Sequence, residues 1–146
     1  MTVVDDRTAV PAAPVEHRIV PALIGTYRRH QVVYIPCPYW CTEDHMDSPY
    51  ALEDICHYAD MSGVQVSSFL DESTALYNWW VRVESDPASG DPRMRAAHVL
   101  MGDDSAEEAR LTPEMAEALS DDLISFAAQI RMAALTARQA NRVAVA

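Results

Sequence analysis

Alternation of apolar and polar residues is clearest over residues 76–84. There Tyr77, Trp79, Val81 and Val83 share one face of a strand, and Asn78 and Arg82 lie on the other. Trp80 also falls on the second face, which predicts that this face is half covered. Weaker alternation predicts strands over 64–70 and 95–101, the latter with Ala97, Val99 and Met101 on one side. Between the last two strands, Ser85-Asp86-Pro87-Ala88-Ser89-Gly90-Asp91-Pro92 is rich in turn formers and predicts a hairpin loop. These strands together predict an antiparallel meander. Residues 31–35 predict a further short strand that stops at Pro36.

The period changes after Thr112. Met115, Leu119, Leu123, Phe126 and Ile130 recur at intervals of four, four, three and four, which draws one apolar stripe down a helix. Thr112 suits the N-cap and Pro113 the first helical position. Glu114 and Glu117 favour the positive end of the helix dipole, and Arg131 and Arg138 lie toward the negative end. A helix reaching residue 138 would be about 39 Å long at 1.5 Å per residue. The stripe is expected to pack on the sheet. The alternative is a partner-binding or dimer-forming face, favoured for the Ala-rich end beyond Ile130.

Residues 1–26 show no period, and Pro11, Pro14 and Pro21 interrupt any helix or central strand. They are expected as a flexible arm, with at most a short edge strand over 19–24. The expected domain then spans 27–139, followed by a flexible tail over 140–146. Residues 36–62 have no regular pattern apart from one or two helical turns over 51–58, after Ser48-Pro49. So long an irregular stretch is uncommon in a compact domain unless something holds it.

A chain of 146 residues is long enough for one domain with a core of its own. It carries 22 acidic and 11 basic residues, all the latter arginine, for a formal charge of -11. The acids are spread along the chain, as on a solvated, self-repelling surface. Duplex DNA binding through phosphates is disfavoured, because Arg28-Arg29-His30 is too short a basic stripe to serve alone. No stretch approaches a membrane span. Asp5 and Asp6 stand where a signal peptide would be basic, so an intracellular, cytoplasmic protein is expected. Three cysteines in a reducing compartment then point to metal rather than to disulfides.

That reading is carried by Cys37-Pro38-Tyr39-Trp40-Cys41-Thr42-Glu43-Asp44-His45, followed by Cys56-His57. Zinc takes four thiolate and imidazole ligands in a tetrahedral array. Three-residue gaps let the chain turn Cys37, Cys41 and His45 toward one ion. His57 is favoured as the fourth ligand, with Cys56 the competitor. In a helical turn these neighbours would point about 100° apart and could not both bind. Soft thiolates disfavour magnesium and calcium. The competing readings are buried but unliganded cysteines, a redox pair of Cys37 and Cys41, and an iron–sulfur cluster. A catalytic zinc would need an open position and a base such as Glu43 or Asp44, and no His-Glu-x-x-His or deaminase pattern is present. His17, His30 and His98 are expected as surface or core residues, and Trp79 and Trp80 as core.

The string Cys37-Pro38-Tyr39-Trp40-Cys41, with Asp44-His45 and His57 behind it, resembles a family of small uncharacterised proteins from actinobacteria and their phages. The stretch Leu111-Thr112-Pro113-Glu114-Met115-Ala116-Glu117-Ala118-Leu119 is similar to that family's closing helix. The likeness spans roughly 33–130. It implies a fold and a metal site at Cys37, Cys41, His45 and His57, with no activity attached.

The sequence therefore predicts an α+β domain. It comprises an antiparallel β-meander, a zinc-knotted loop at one end and a long C-terminal helix packed on the sheet. The expected function is a non-enzymatic, zinc-stabilised protein-interaction or regulatory module with a protein partner, or a homodimer. Two alternatives accompany it: an acidic phage or mobile-element accessory protein that blocks a host factor by nucleic-acid mimicry, and a small zinc hydrolase.

Overall fold

A computed structural model describes residues 16–144. It is α+β, with two antiparallel sheets and one long helix. The first sheet is a hairpin of β1 (His17–Thr26) and β2 (Arg29–Pro38). The expectation of a flexible arm through residue 26 is corrected here, because residues 17–26 form a full ten-residue strand. Pro21 is tolerated because β1 is paired by a regular strand on one side only; its register partner on β2 is Tyr34. Residues 1–15 of the expected arm lie outside the described residues.

Alternation sets the hairpin's buried face. Val20, Ala22 and Ile24 of β1 share it with Val33 and Ile35 of β2, and Ile55 packs on top. The turn is tight because Gly25 adopts φ 129° opposite His30, where any Cβ would strike the Arg29 carbonyl oxygen.

The second sheet is built on β5 (Asp71–Ser85). One edge of β5 carries two strands in line: β3 (His57–Tyr58) at its C-terminal end and β4 (Ser62–Ser68) along the rest. The other edge carries β6 (His98–Gly102), which pairs with β7 (Glu108–Leu111). The segment expected as a loop between the last two strands contains a short helix, α1 (Pro92–Arg95), capped by the Asp91 side chain. Two proline-linked caps in succession suit a helical turn as well as a hairpin. Residues 51–58 are not a run of helix. Leu52–Asp54 makes one 3-10 turn, and His57–Tyr58 is strand.

One face of this sheet is apolar. Val64 lies opposite Trp79, Val66 opposite Tyr77, Val81 opposite Met101 and Val83 opposite Val99. On the other face Trp80 lies across Gly102 and Arg82 across the fully buried Leu100. The half-covered second face expected from Trp80 is thus real: Arg82 stacks 4.2 Å from the centre of the Tyr58 ring.

The closing helix α2 (Pro113–Ala144) starts where its cap predicts, with the Met115 N–H donating to Thr112 Oγ1. Its 32 residues make it about 48 Å long, so residues 140–144 of the expected tail are helical. The stripe residues Leu123, Phe126 and Ile130 look toward the apolar sheet face across an open cleft of about 530 Å³. Phe126 remains 50% and Ile130 56% exposed, so the helix roofs the sheet without sealing it. Among the described residues, no helix is long and apolar enough to cross a membrane.

Gly102 is a tight point of the sheet's second face, since a Cβ there would come within 2.6 Å of the Trp80 ring. Gly102→Ala is expected to lower stability by about 1–3 kcal/mol through overpacking. Urea denaturation followed by tryptophan fluorescence measures it.

Candidate metal centre

The inward face of β2 runs Val33, Ile35, Cys37, so strand alternation alone aims the first cysteine into the interior. The chain then reverses in a turn closed by the Cys41 N–H donating to the Pro38 carbonyl at 3.1 Å. That turn brings Cys41 back beside Cys37. Asp44 starts a second turn by accepting the Met46 N–H on Oδ1 and the Asp47 N–H on its carbonyl. His45 is pinned there because its carbonyl accepts the Leu23 N–H at 2.9 Å. His57 arrives from the second sheet, on β3 opposite Ser85.

The loop between β2 and β3 is also anchored along the free edge of β1. Gly25 N–H donates to the Tyr50 carbonyl, and Tyr50 N–H donates to the Leu23 carbonyl. At the other end Thr42 N–H donates to the Tyr58 carbonyl, and its hydroxyl donates to Asp60. The support that so long an irregular stretch requires is therefore supplied in part by the backbone. Backbone hydrogen bonds give it a second restraint.

Cys37, Cys41, His45 and His57 are all buried, and their ligand atoms lie within 4.8 Å of one another. His45 Nε2 is 3.7 Å from Cys37 Sγ and 3.8 Å from Cys41 Sγ. The His45 and His57 rings meet edge to face at 5.3 Å. His57 Nδ1 is buried without a hydrogen-bond partner, an unusual state for a native polar atom and one that a metal would relieve. The set is compatible with a bound metal. Cys56 lies outside it, because strand alternation at β3 turns neighbouring side chains to opposite sides; it hydrogen-bonds Tyr58 instead.

Burial depresses the proton affinity of both imidazoles. His57 falls to about 4, through desolvation first and then through His45 and His17. His45 is also lowered, chiefly by burial. Both therefore present neutral nitrogen, the form that binds metals. Burial and the neighbouring Cys41 push the Cys37 thiol up, while Arg18 pulls it down. Arg18 stands opposite Cys37 on β1, and its Nη2 donates to the Cys41 carbonyl at 2.6 Å.

A second polar cluster escaped sequence reading. Glu84 is buried on the covered face of β5, with His98 Nε2 3.5 Å, Arg82 Nη2 3.5 Å and Arg110 Nε 3.8 Å from its carboxylate oxygens. His98 Nδ1 donates to the Ala96 carbonyl, which leaves Nε2 directed at Glu84. The available signal was Arg82 and Glu84 two residues apart on the face that Trp80 marked as covered. The Arg110 contribution needed β7, which has no sequence signature of its own. His17 and His30 lie outside the metal-type group.

The family model described as a domain of unknown function (DUF6907) matches residues 12–140. That agrees with the likeness to an uncharacterised family and extends it at both ends. No curated protein and no solved structure matches the chain.

Because His57 and His45 titrate lower folded than unfolded, the unfolded chain takes up protons first as pH falls. Stability is expected to be full above about pH 6.5 and to decline toward pH 4, by on the order of 3 kcal/mol for His57. A bound metal has the same sign, since protons compete for its ligands. Denaturation midpoints at stepped pH test this, and His57→Gln should flatten the profile. In the second cluster, Glu84→Ala leaves the Arg82 guanidinium without its carboxylate acceptor. It is expected to cost about 3 kcal/mol in urea denaturation.

Proposed function

The chain belongs to this family of unknown function, DUF6907, and on that premise we propose that it is a non-enzymatic protein-interaction or regulatory module stabilised by a structural zinc ion. The observation that carries the reading is the burial of two cysteines and two histidines with their ligand atoms within 4.8 Å of one another. A tetrahedral zinc bonded at about 2.3 Å to sulfur and about 2.0 Å to nitrogen would hold such a pair about 3.6 Å apart. The sulfur–nitrogen distances of 3.7 and 3.8 Å fit that spacing. Mixed sulfur and imidazole donors suit zinc over the hard cations.

Four protein ligands close the coordination shell, which supports a structural rather than a hydrolytic ion. Glu43 and Asp44, the acids nearest in sequence, are exposed on the outside of the turn. The ligands come from β2, two successive turns and β3, so the ion would join the hairpin to the larger sheet. The interaction half of the reading is supported by apolar surface left open on the sheet and helix, with Phe69 89% exposed at the β4–β5 turn.

Elemental analysis of the purified protein is expected to find about one zinc per chain. Cys37→Ser and His57→Ala should each abolish stoichiometric metal, while Cys56→Ser retains it. Chelation should lower Tm by about 10 °C or more and open the 39–56 loop to protease. Protein without stoichiometric metal, together with unchanged stability in Cys37→Ser, would remove the basis of the proposal.

A further inference from the structure

Helix α2 is apolar on two sides. Leu123, Phe126 and Ile130 look into the cleft over the sheet. At 100° per residue, Ile124, Ala128, Met132 and Leu135 project from the opposite side. Among the described residues nothing covers that second face: Ile124 is 66% and Met132 62% exposed. A helix of this length with so little packing is marginal in water by itself, because helical stability in proteins comes mostly from burying an apolar face.

Charge says what covers it. The first half of α2 carries Glu114, Glu117, Asp121 and Asp122 and no basic residue. The second half carries Arg131, Arg138 and Arg142 and no acidic residue. Glu117, Asp121, Asp122 and the three arginines have no ion-pair partner among the described residues. A helix acidic at one end and basic at the other is complementary to a copy of itself running the opposite way. A parallel copy would set like charges side by side.

We propose that this chain forms a homodimer through antiparallel pairing of α2 with α2 of a second copy, across the Ile124–Ala128–Met132–Leu135 face. A two-fold axis at Ala128 places the smallest side chain of the face where the helices approach most closely. Ile124 then meets Met132 of the second copy, each once per side, as a two-fold interface requires. In the same register Arg142 comes opposite Glu114, and Arg138 falls between Glu117 and Asp121. Arg131 lies within a turn of Asp121. Glu117 and Asp121 lie on this same face, and Leu135 comes opposite Asp121, so the apolar contact centres on Ile124, Ala128 and Met132 and pairs of opposite charge flank it at both ends, which favours the antiparallel over the parallel arrangement. The inference deepens the interaction half of the proposed function and does not depend on the metal.

The test uses the full chain in sedimentation velocity at micromolar concentration, with circular dichroism and metal content as controls for folding. The unaltered protein is expected to be a dimer. Glu117→Arg with Asp121→Arg sets arginines opposite the arginines of the second copy and cancels the net negative charge of the first half, while Arg131→Glu with Arg138→Glu sets acids opposite acids and turns the second half net negative. Each double variant should weaken its own dimer by about tenfold or more. An equimolar mixture of the two should recover a dimer containing one of each. A monomeric unaltered protein overturns the proposal, as do double variants that still dimerise alone or a mixture that stays monomeric. Metal content unchanged through these outcomes keeps this failure distinct from failure of the zinc reading.

Discussion

The convergence of Cys37, Cys41, His45 and His57 is the constraint on which the rest of the architecture turns. It takes one residue from the end of the hairpin sheet, two from the turns that follow and one from the short strand that opens the larger sheet. The buried apolar cluster of the hairpin is small: Ala22, Ile35 and Ile55, with three partly buried neighbours. A core of that size leaves little margin against the conformational entropy of ordering the loop. Four side chains drawn to one point, with Nδ1 of His57 otherwise unsatisfied, are compatible with a bound metal, which would add cohesion to that of the backbone hydrogen bonds.

Around that point the protein uses hydrogen bonding more than apolar burial. The loop from residue 39 to 56 lies along the free edge of β1 and is tied to it by Leu23, Gly25 and Tyr50. This also blunts an edge that would otherwise offer unpaired backbone groups to other strands. The larger sheet has its own buried polar node at Glu84, where Arg82 and Arg110 offset one carboxylate that His98 also faces. Such a node contributes little net stability but makes alternative registers of β5 and β6 costly, because a slip would leave a buried charge without partners.

The apolar side of the larger sheet and the two apolar sides of α2 follow a different logic. They are patterned for burial, yet much of that surface remains open within one chain. The segregation of acid and base along α2 supplies direction where the apolar residues supply only area. A chain of net charge -11 resists indiscriminate association, so contact confined to a complementary seam is the arrangement its electrostatics allow.

Much of this was legible from the residues. Alternation at Tyr77, Trp79, Val81 and Val83 marked the central strand, and Thr112-Pro113 marked the start of the helix, because both signals are local. The cysteine and histidine spacing marked the cluster, since short gaps force the residues near one another however the chain bends. Local signals failed where pairing is long-range. Strand β1 was read at most as a short edge strand over 19–24 because Pro21 interrupts it, although an edge tolerates a proline, and β7 had too few residues to show a period. Between Cys56 and His57 the sequence favoured His57 without deciding the matter. Both are adjacent, both can bind metal, and only the pairing of β3 with β5 decides which side chain turns inward. The sequence by itself determined which chemistry gathers in the loop; the tertiary structure decided which atoms face one another, because register between distant strands sets side-chain direction and no neighbour in the chain encodes it.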